Sequence, residues 1–278
     1  VLRPGIGIKV LDQGTGAITA EGSIVSFEKE KGEAWREIVT NVKRVVNPLV
    51  WDNSGNNVFK AVFDRPMAVR KYDYYLYDQN VGADFIVRGN HFSHNLANGA
   101  RILSKRGLIE GNTFEAVRGS GITLAAYCQW LEGTVVEGIT IRGNTFVDCL
   151  LGMHPKMAGY AESPAVIMSL TGTRLGVEQL LPARIHHDIL IENNRIIRPP
   201  AAAFFIANAY DVTIRSNRVI EPSFRMASNV GMRYGVDGNY GTVVYDDPDG
   251  KSVRVEGNRF ERPPQGWPGE LLRNRPAK

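Results

Sequence analysis

The sequence predicts an all-β fold, a right-handed parallel β-helix with a small β-barrel or β-sandwich domain at its N-terminal side. Two observations predict the helix: a nine-residue segment that recurs six times with an asparagine in register, and shortest intervals between those asparagines of 22 and 23 residues. A third bounds the class. The 278 residues are 43% hydrophobic and 22% charged and carry 29 glycines, the profile of a turn-rich globular chain.

Residues 1–82 lack the repeat and read as short strands separated by turns: Gly5–Val10, Ala17–Thr19, Gly22–Phe27 and Val58–Phe63. Asp52–Asn57 is a loop by its Gly and Asn content. The expected division is a small all-β domain over 1–82, the β-helix over 83–265 and a tail over 266–278, with the join near Tyr72–Gly82. A start at Val1 without Met leads to the expectation of a processed or excised piece.

The repeated segments are Asp84–Phe92, Arg106–Phe114, Gly138–Phe146, Asp188–Ile196, Asp211–Val219 and Ser252–Phe260. Each alternates apolar and polar residues, then carries a polar residue, a small residue, Asn, and an apolar residue two places on. Alternate side chains of a strand face opposite ways, so the apolar set points inward. Asn tolerates left-handed dihedrals and bonds nearby backbone, which suits a bend between strands. Stacked coils then align Asn90, Asn112, Asn144, Asn194, Asn217 and Asn258 as a ladder, and stacking pairs the backbone edges that one coil leaves open. A second strand follows in most coils: Ala100–Ser104, Gly121–Ala125, Ala165–Ser169 and Ala203–Ala207. The Leu-x-x-Leu-x-Leu signature of leucine-rich repeats is absent.

Longer intervals of 32, 50 and 41 residues mark insertions. Tyr127–Glu137 and Thr171–Ala183 follow a second strand directly, Met226–Lys251 is a third insertion, and Leu150–Ser163 precedes a second strand. Loops leaving neighbouring coils at one corner stand side by side, and a cleft there is the expected binding site.

No stretch approaches 18 uninterrupted apolar residues, so no membrane span is expected. A net charge of +4 is spread along the chain without an aromatic–basic motif, which argues against nucleic acid as partner. Cys128 and Cys149 make neither a disulfide framework nor a metal site, and are read as buried thiols. The adjacent His186 and His187 face opposite sides of a strand and cannot ligate one metal. Asp246–Asp249 reads as a turn rather than a calcium loop. No cofactor is expected.

Through Ala100–Phe114, Trp130–Gly133 and Ile139–Phe146 the chain resembles carbohydrate-active β-helix proteins around glycoside hydrolase family 110, which remove terminal α-1,3-linked galactose. The resemblance covers about residues 84–220, with the Trp-x-Glu-Gly element its most specific part. It implies a glycan or polysaccharide partner and an extracellular or periplasmic location. It also implies active-site aspartates in the strand before that element, where this chain has Leu124-Ala-Ala-Tyr-Cys-Gln129 and no carboxylate.

Glu132, beside Trp130 in an inserted loop, is the first candidate acid or base, with Trp130 as a platform for a sugar ring; the plain alternative is a packed loop. Asp148 is the second catalytic candidate, against an ordinary surface carboxylate. His154 and Glu162, in the Leu150–Ser163 insertion, and Arg101 and Lys105, flanking a second strand, are candidates for binding substrate. A glycoside hydrolase leads; a non-catalytic glycan-binding module follows. A lyase using Arg101, Lys105 or Arg106 as base ranks below both.

Overall fold

The computed structural model describes residues 3–31, 58–79, 81–130, 132–150, 166–174, 177–199, 202–222, 243–245, 247, 250–263, 265 and 271–274. They form two compact units.

The first unit comprises Val1–Val81, Ala126–Val135 and Leu170–Ile185. Its frame is a four-stranded antiparallel sheet of β1 (Gly7–Leu11), β2 (Ile18–Lys29), β3 (Phe59–Phe63) and β4 (Tyr74–Tyr77), in the order β3-β2-β1-β4. Strand β1 is the most buried of the four, with Ile8, Val10 and Leu11 in the interior. The two later segments join this unit by packing: Ala126, Cys128, Val135, Leu170, Leu181 and Ile185 share one core with Leu11, Tyr74 and Leu76.

The second unit is the β-helix, with six stacked coils among the described residues. Coil one is β5 (Phe85–Arg88), β6 (His91–Ser93) and β7 (Ala100–Ile102); coil two is β8 (Gly107–Glu110), β9 (Thr113–Glu115) and β10 (Ile122–Tyr127). After the short β11 (Glu132–Gly133), coil three is β12 (Glu137–Arg142), β13 (Thr145–Val147) and β14 (Val166–Arg174). After β15 (Val177–Leu180), coil four is β16 (His186–Glu192), β17 (Arg195–Ile197) and β18 (Phe204–Ile206). Coil five is β19 (Ala209–Arg215), β20 (Arg218–Ile220) and β21 (Val243–Tyr245). Coil six is β22 (Val253–Glu256), β23 (Arg259–Glu261) and β24 (Leu271–Asn274). Corresponding strands pair in parallel into three sheets. The three-residue strands after each Asn make a full sheet of their own, β23-β20-β17-β13-β9-β6.

The ladder forms as the repeat requires. The backbone N–H and the Nδ2 amide of each asparagine from Asn90 to Asn217 donate to Oδ1 of the next, at 2.9–3.1 Å. From Asn112 onward Nδ2 also donates to a carbonyl one coil back, Val87, Ile109, Ile141, Ile191 or Ile214, at 2.9–3.2 Å. Inside, Phe92, Phe114 and Phe146 stack with centroids 5.0 Å apart, at the head of a column continued by Ile196 and Val219.

One detail of the bend differs from expectation. The left-handed residue is not the ladder asparagine but the one before it: Gly89, Gly111, Gly143, Asn193, Ser216 and Gly257, with φ of 54–67°. The ladder amide points inward along the axis while its neighbour takes the left-handed dihedral, which glycine adopts freely and asparagine tolerates. The corner after the second sheet repeats the device at His94, Ala116, Asp148, Arg198, Glu221 and Arg262.

Candidate functional site

Trp130 and Glu132 come together on a hairpin of the first unit. Strand β10 runs into a single 3-10 turn, Cys128–Trp130, and β11 returns antiparallel with Ala126 opposite Gly133 and Tyr127 opposite Glu132. Gly133 takes φ 93°, a dihedral that an L side chain resists, so the reversal depends on glycine there. The hairpin is fixed from below. The buried Gln129 Nε2 donates to Thr171 Oγ1 at 2.8 Å, and that hydroxyl donates back to Gln129 Oε1 at 3.0 Å. Thr134 Oγ1 donates to the carbonyl of Tyr77 at 2.5 Å. Cys128 points into the core, and burial pushes its thiol up to about 12, so it is an inert packing group.

On this anchored base Trp130, Glu132 and Tyr127 are each partly exposed. Opposite residues of an antiparallel pair have Cβ atoms roughly 4.5–5.5 Å apart, so Tyr127 adjoins Glu132 although sequence reasoning passed over it. The signal was available, since two residues flanking a short turn are cross-strand neighbours. An indole, a phenol and a carboxylate on a rigid hairpin can offer a sugar ring an apolar face and a hydrogen-bonding or proton-transferring group. Among the described residues of the insertions Tyr127–Glu137 and Thr171–Ala183, the Gln129–Thr171 pair joins one to the other.

The remaining candidates are placed separately, on the helix. Asp148 occupies a left-handed corner, and Arg198 one coil on donates to it, Nε to Oδ1 at 2.6 Å and NH2 to Oδ2. Glu221 and Arg262 pair on the same corner, so Asp148 belongs to a row of alternating charges. Lys105 is buried, with its ammonium 3.5 Å from Glu137. Arg101 is exposed on β7 opposite Thr123, whose buried hydroxyl lacks a hydrogen-bond partner among the described residues. His154 and Glu162 lie outside the described residues. Ala125 and Ala126, where the resemblance implies aspartates, are fully buried in β10.

Other motifs resolve as structure. His186 is fully buried; Nδ1 accepts the Val136 N–H at 3.0 Å and Nε2 donates to the Ser169 carbonyl at 3.1 Å. Burial drives its pKa down to about 4, so it is a neutral clamp between strands. Asp247 is buried and accepts backbone N–H groups of Lys251, Ser252 and Val253, while Asp246, Pro248 and Asp249 lie outside the described residues. Among the described residues no group of three His, Cys, Asp or Glu could hold a metal, and no helix is long and apolar enough to cross a membrane.

Three parallel sheets, the asparagine ladder and the inward aromatic column agree with the match of residues 74–267 to the right-handed β-helix region family. The chain belongs to that family. It is also similar to curated α-1,3-galactosidases, in accord with the resemblance read from its motifs. The α-1,3-galactosidase B of Akkermansia muciniphila is 30% identical over 183 residues, 63% of this chain and 21% of the relative. The α-1,3-galactosidase A of Bacteroides fragilis is 23% identical over 180 residues, 61% of this chain and 28% of the relative. That of Bacteroides thetaiotaomicron is 26% identical over 148 residues, 48% of this chain and 26% of the relative. The aligned part of this right-handed β-helix chain thus spans between a fifth and three-tenths of those relatives' length.

Proposed function

We propose that this β-helix chain is carbohydrate-active and works as a glycoside hydrolase on a terminal, α-galactosyl-type sugar of a glycan, outside the cell. The observation that carries the reading is the hairpin presenting Trp130, Tyr127 and Glu132 on a fixed base, in a chain similar to α-1,3-galactosidases. In this reading Trp130 packs against the sugar ring and Glu132 is one of the two carboxyl groups that hydrolysis needs. Asp148, the other carboxylate singled out in the sequence, is engaged by Arg198 on the helix.

A non-catalytic glycan-binding module is the second reading, favoured by a specific observation: Ala125 and Ala126 stand fully buried where the resemblance implies aspartates. One experiment separates the two. The chain is incubated with α- and β-galactosyl-terminated oligosaccharides and free monosaccharide is followed by mass spectrometry, with Glu132→Gln in parallel. The hydrolase reading expects release of galactose and a loss of about a hundredfold or more in the variant. Release that is unchanged in Glu132→Gln removes Glu132 from the mechanism. Saturable binding without release, weakened by Trp130→Ala, decides for the binding module.

A further inference from the structure

Two outer rows of the helix alternate in sign from coil to coil. On the first sheet Arg88, Glu110, Arg142, Glu192, Arg215 and Glu256 lie directly opposite one another in sequence. Glu110 takes Arg88 at 2.7 Å and Arg142 at 2.6 Å. At the corner after the second sheet Asp148, Arg198, Glu221 and Arg262 do the same.

A third row breaks the rule. One place beyond each ladder asparagine stand His91, Thr113, Thr145, Arg195, Arg218 and Arg259, the last three directly opposite on adjacent parallel strands. Strands about 4.8 Å apart thus hold three guanidiniums side by side, which like-charge repulsion disfavours. All three are exposed. Glu261 engages Arg218, NH2 to Oε2 at 2.8 Å, whereas Arg195 and Arg259 form no ion pair among the described residues. With Arg198 and Arg262 beside them, five arginines face Asp148, Glu221 and Glu261, a surplus of two positive charges. The Glu261 carboxyl is held below its usual range by Arg218 first and then by the fields of Arg262 and Arg195, one acid serving several cations.

We propose that this face of coils four to six binds an acidic polysaccharide with a carboxylate on each successive sugar, laid along the helix axis. Successive carboxylates of an extended twofold chain point to opposite sides, so those on one side recur every second sugar, close to the two-coil separation of Arg195 and Arg259, roughly 9.6 Å. Arginine suits that contact, since its planar fork matches a carboxylate with two parallel hydrogen bonds. Thr145 and Thr113 continue the row with hydroxyls, which can serve the neutral groups of the same chain. The site is on a different element from the Trp130 hairpin and does not depend on the hydrolase reading.

The test is calorimetric titration with a galacturonate hexamer and with a neutral galactose oligomer of equal length, at low and moderate salt. The parent chain is compared with Arg195→Ser/Arg259→Ser and Arg195→Lys/Arg259→Lys. The parent is expected to bind the acidic oligomer with salt-dependent affinity and to ignore the neutral one. The serine pair should weaken it about a hundredfold and the lysine pair less, since charge survives but the fork does not. If the serine pair melts below the parent, the lysine pair carries the comparison. Failure to bind the acidic oligomer, equal binding of the neutral one, or undiminished affinity in both variants overturns the proposal. So does equally tight binding of single-stranded DNA of matched charge, which would mark an unselective polyanion surface.

Discussion

The asparagine row inside the helix and the Arg/Glu row outside the first sheet have the same period, and both tie each coil to the next. They differ in what the alternative partner is. Asn112, Asn144, Asn194 and Asn217 are at most 1% exposed, so each amide forgone leaves a buried donor or acceptor without a partner. Arg88 and Arg142 have side chains 58% and 45% exposed, so water replaces what Glu110 provides. A repeated contact therefore stabilises this fold according to its burial more than its geometry or charge.

Four measurements would break or sharpen that contrast. The largest effect is expected for Asn144→Ala, which removes the acceptor of the Asn112 N–H and Nδ2 and the donor to the Ile109 carbonyl. A loss of about 3–5 kcal/mol in denaturant unfolding is expected; a loss below 1 kcal/mol would show that water enters the corner. Next comes acid. Because the folded pKa of His186 is about 4 against 6.5 for the free side chain, the unfolded chain binds the extra proton between those values. The His186 contribution is complete above pH 6.5 and is lost as pH falls toward 4, on the order of 3 kcal/mol in all. Denaturation series across that window in the parent and in His186→Gln would show a slope that the variant loses.

Smaller effects follow. Ser216→Gly should stabilise by about 1 kcal/mol, because serine occupies a dihedral of +54° that glycine adopts freely; no gain would mean that the Ser216 side chain contributes a contact of its own. Last is Glu110→Gln. Its carboxyl is held below the usual range by Arg142 and then Arg88, yet on this exposed row the expected loss is the smallest of the four and vanishes in high salt. A loss comparable with that of Asn144→Ala would overturn the contrast.

The helix was legible because period and chemistry coincide: an amide that must stack recurs at one position while apolar residues recur beside it. The bend was only partly legible, since the pattern shows where the chain turns but not which residue takes the strained dihedral. Asp148 illustrates what a linear reading loses. Its partner Arg198 is 50 residues away, yet each stands four places beyond a ladder asparagine. Aligned by coil rather than by number, the pair was visible, and so was the Arg195, Arg218 and Arg259 row. The affiliation of the insertions was not visible, because Cys128 and Leu181 look apolar in the sequence whichever core they join.

That affiliation has a consequence for biosynthesis. The core around Leu11, Tyr74 and Leu76 is completed by Ala126, Cys128 and Val135, and then by Leu170, Leu181 and Ile185. A ribosome that has made the first sheet has therefore made only part of one core and must translate nearly three coils of the helix before the last of it is supplied. During that interval the nascent sheet keeps apolar side chains in water, which favours chaperone engagement and makes an early stop costly. Cutting the gene at the end of the first sheet would release an unfinished fragment, because its missing packing is encoded downstream.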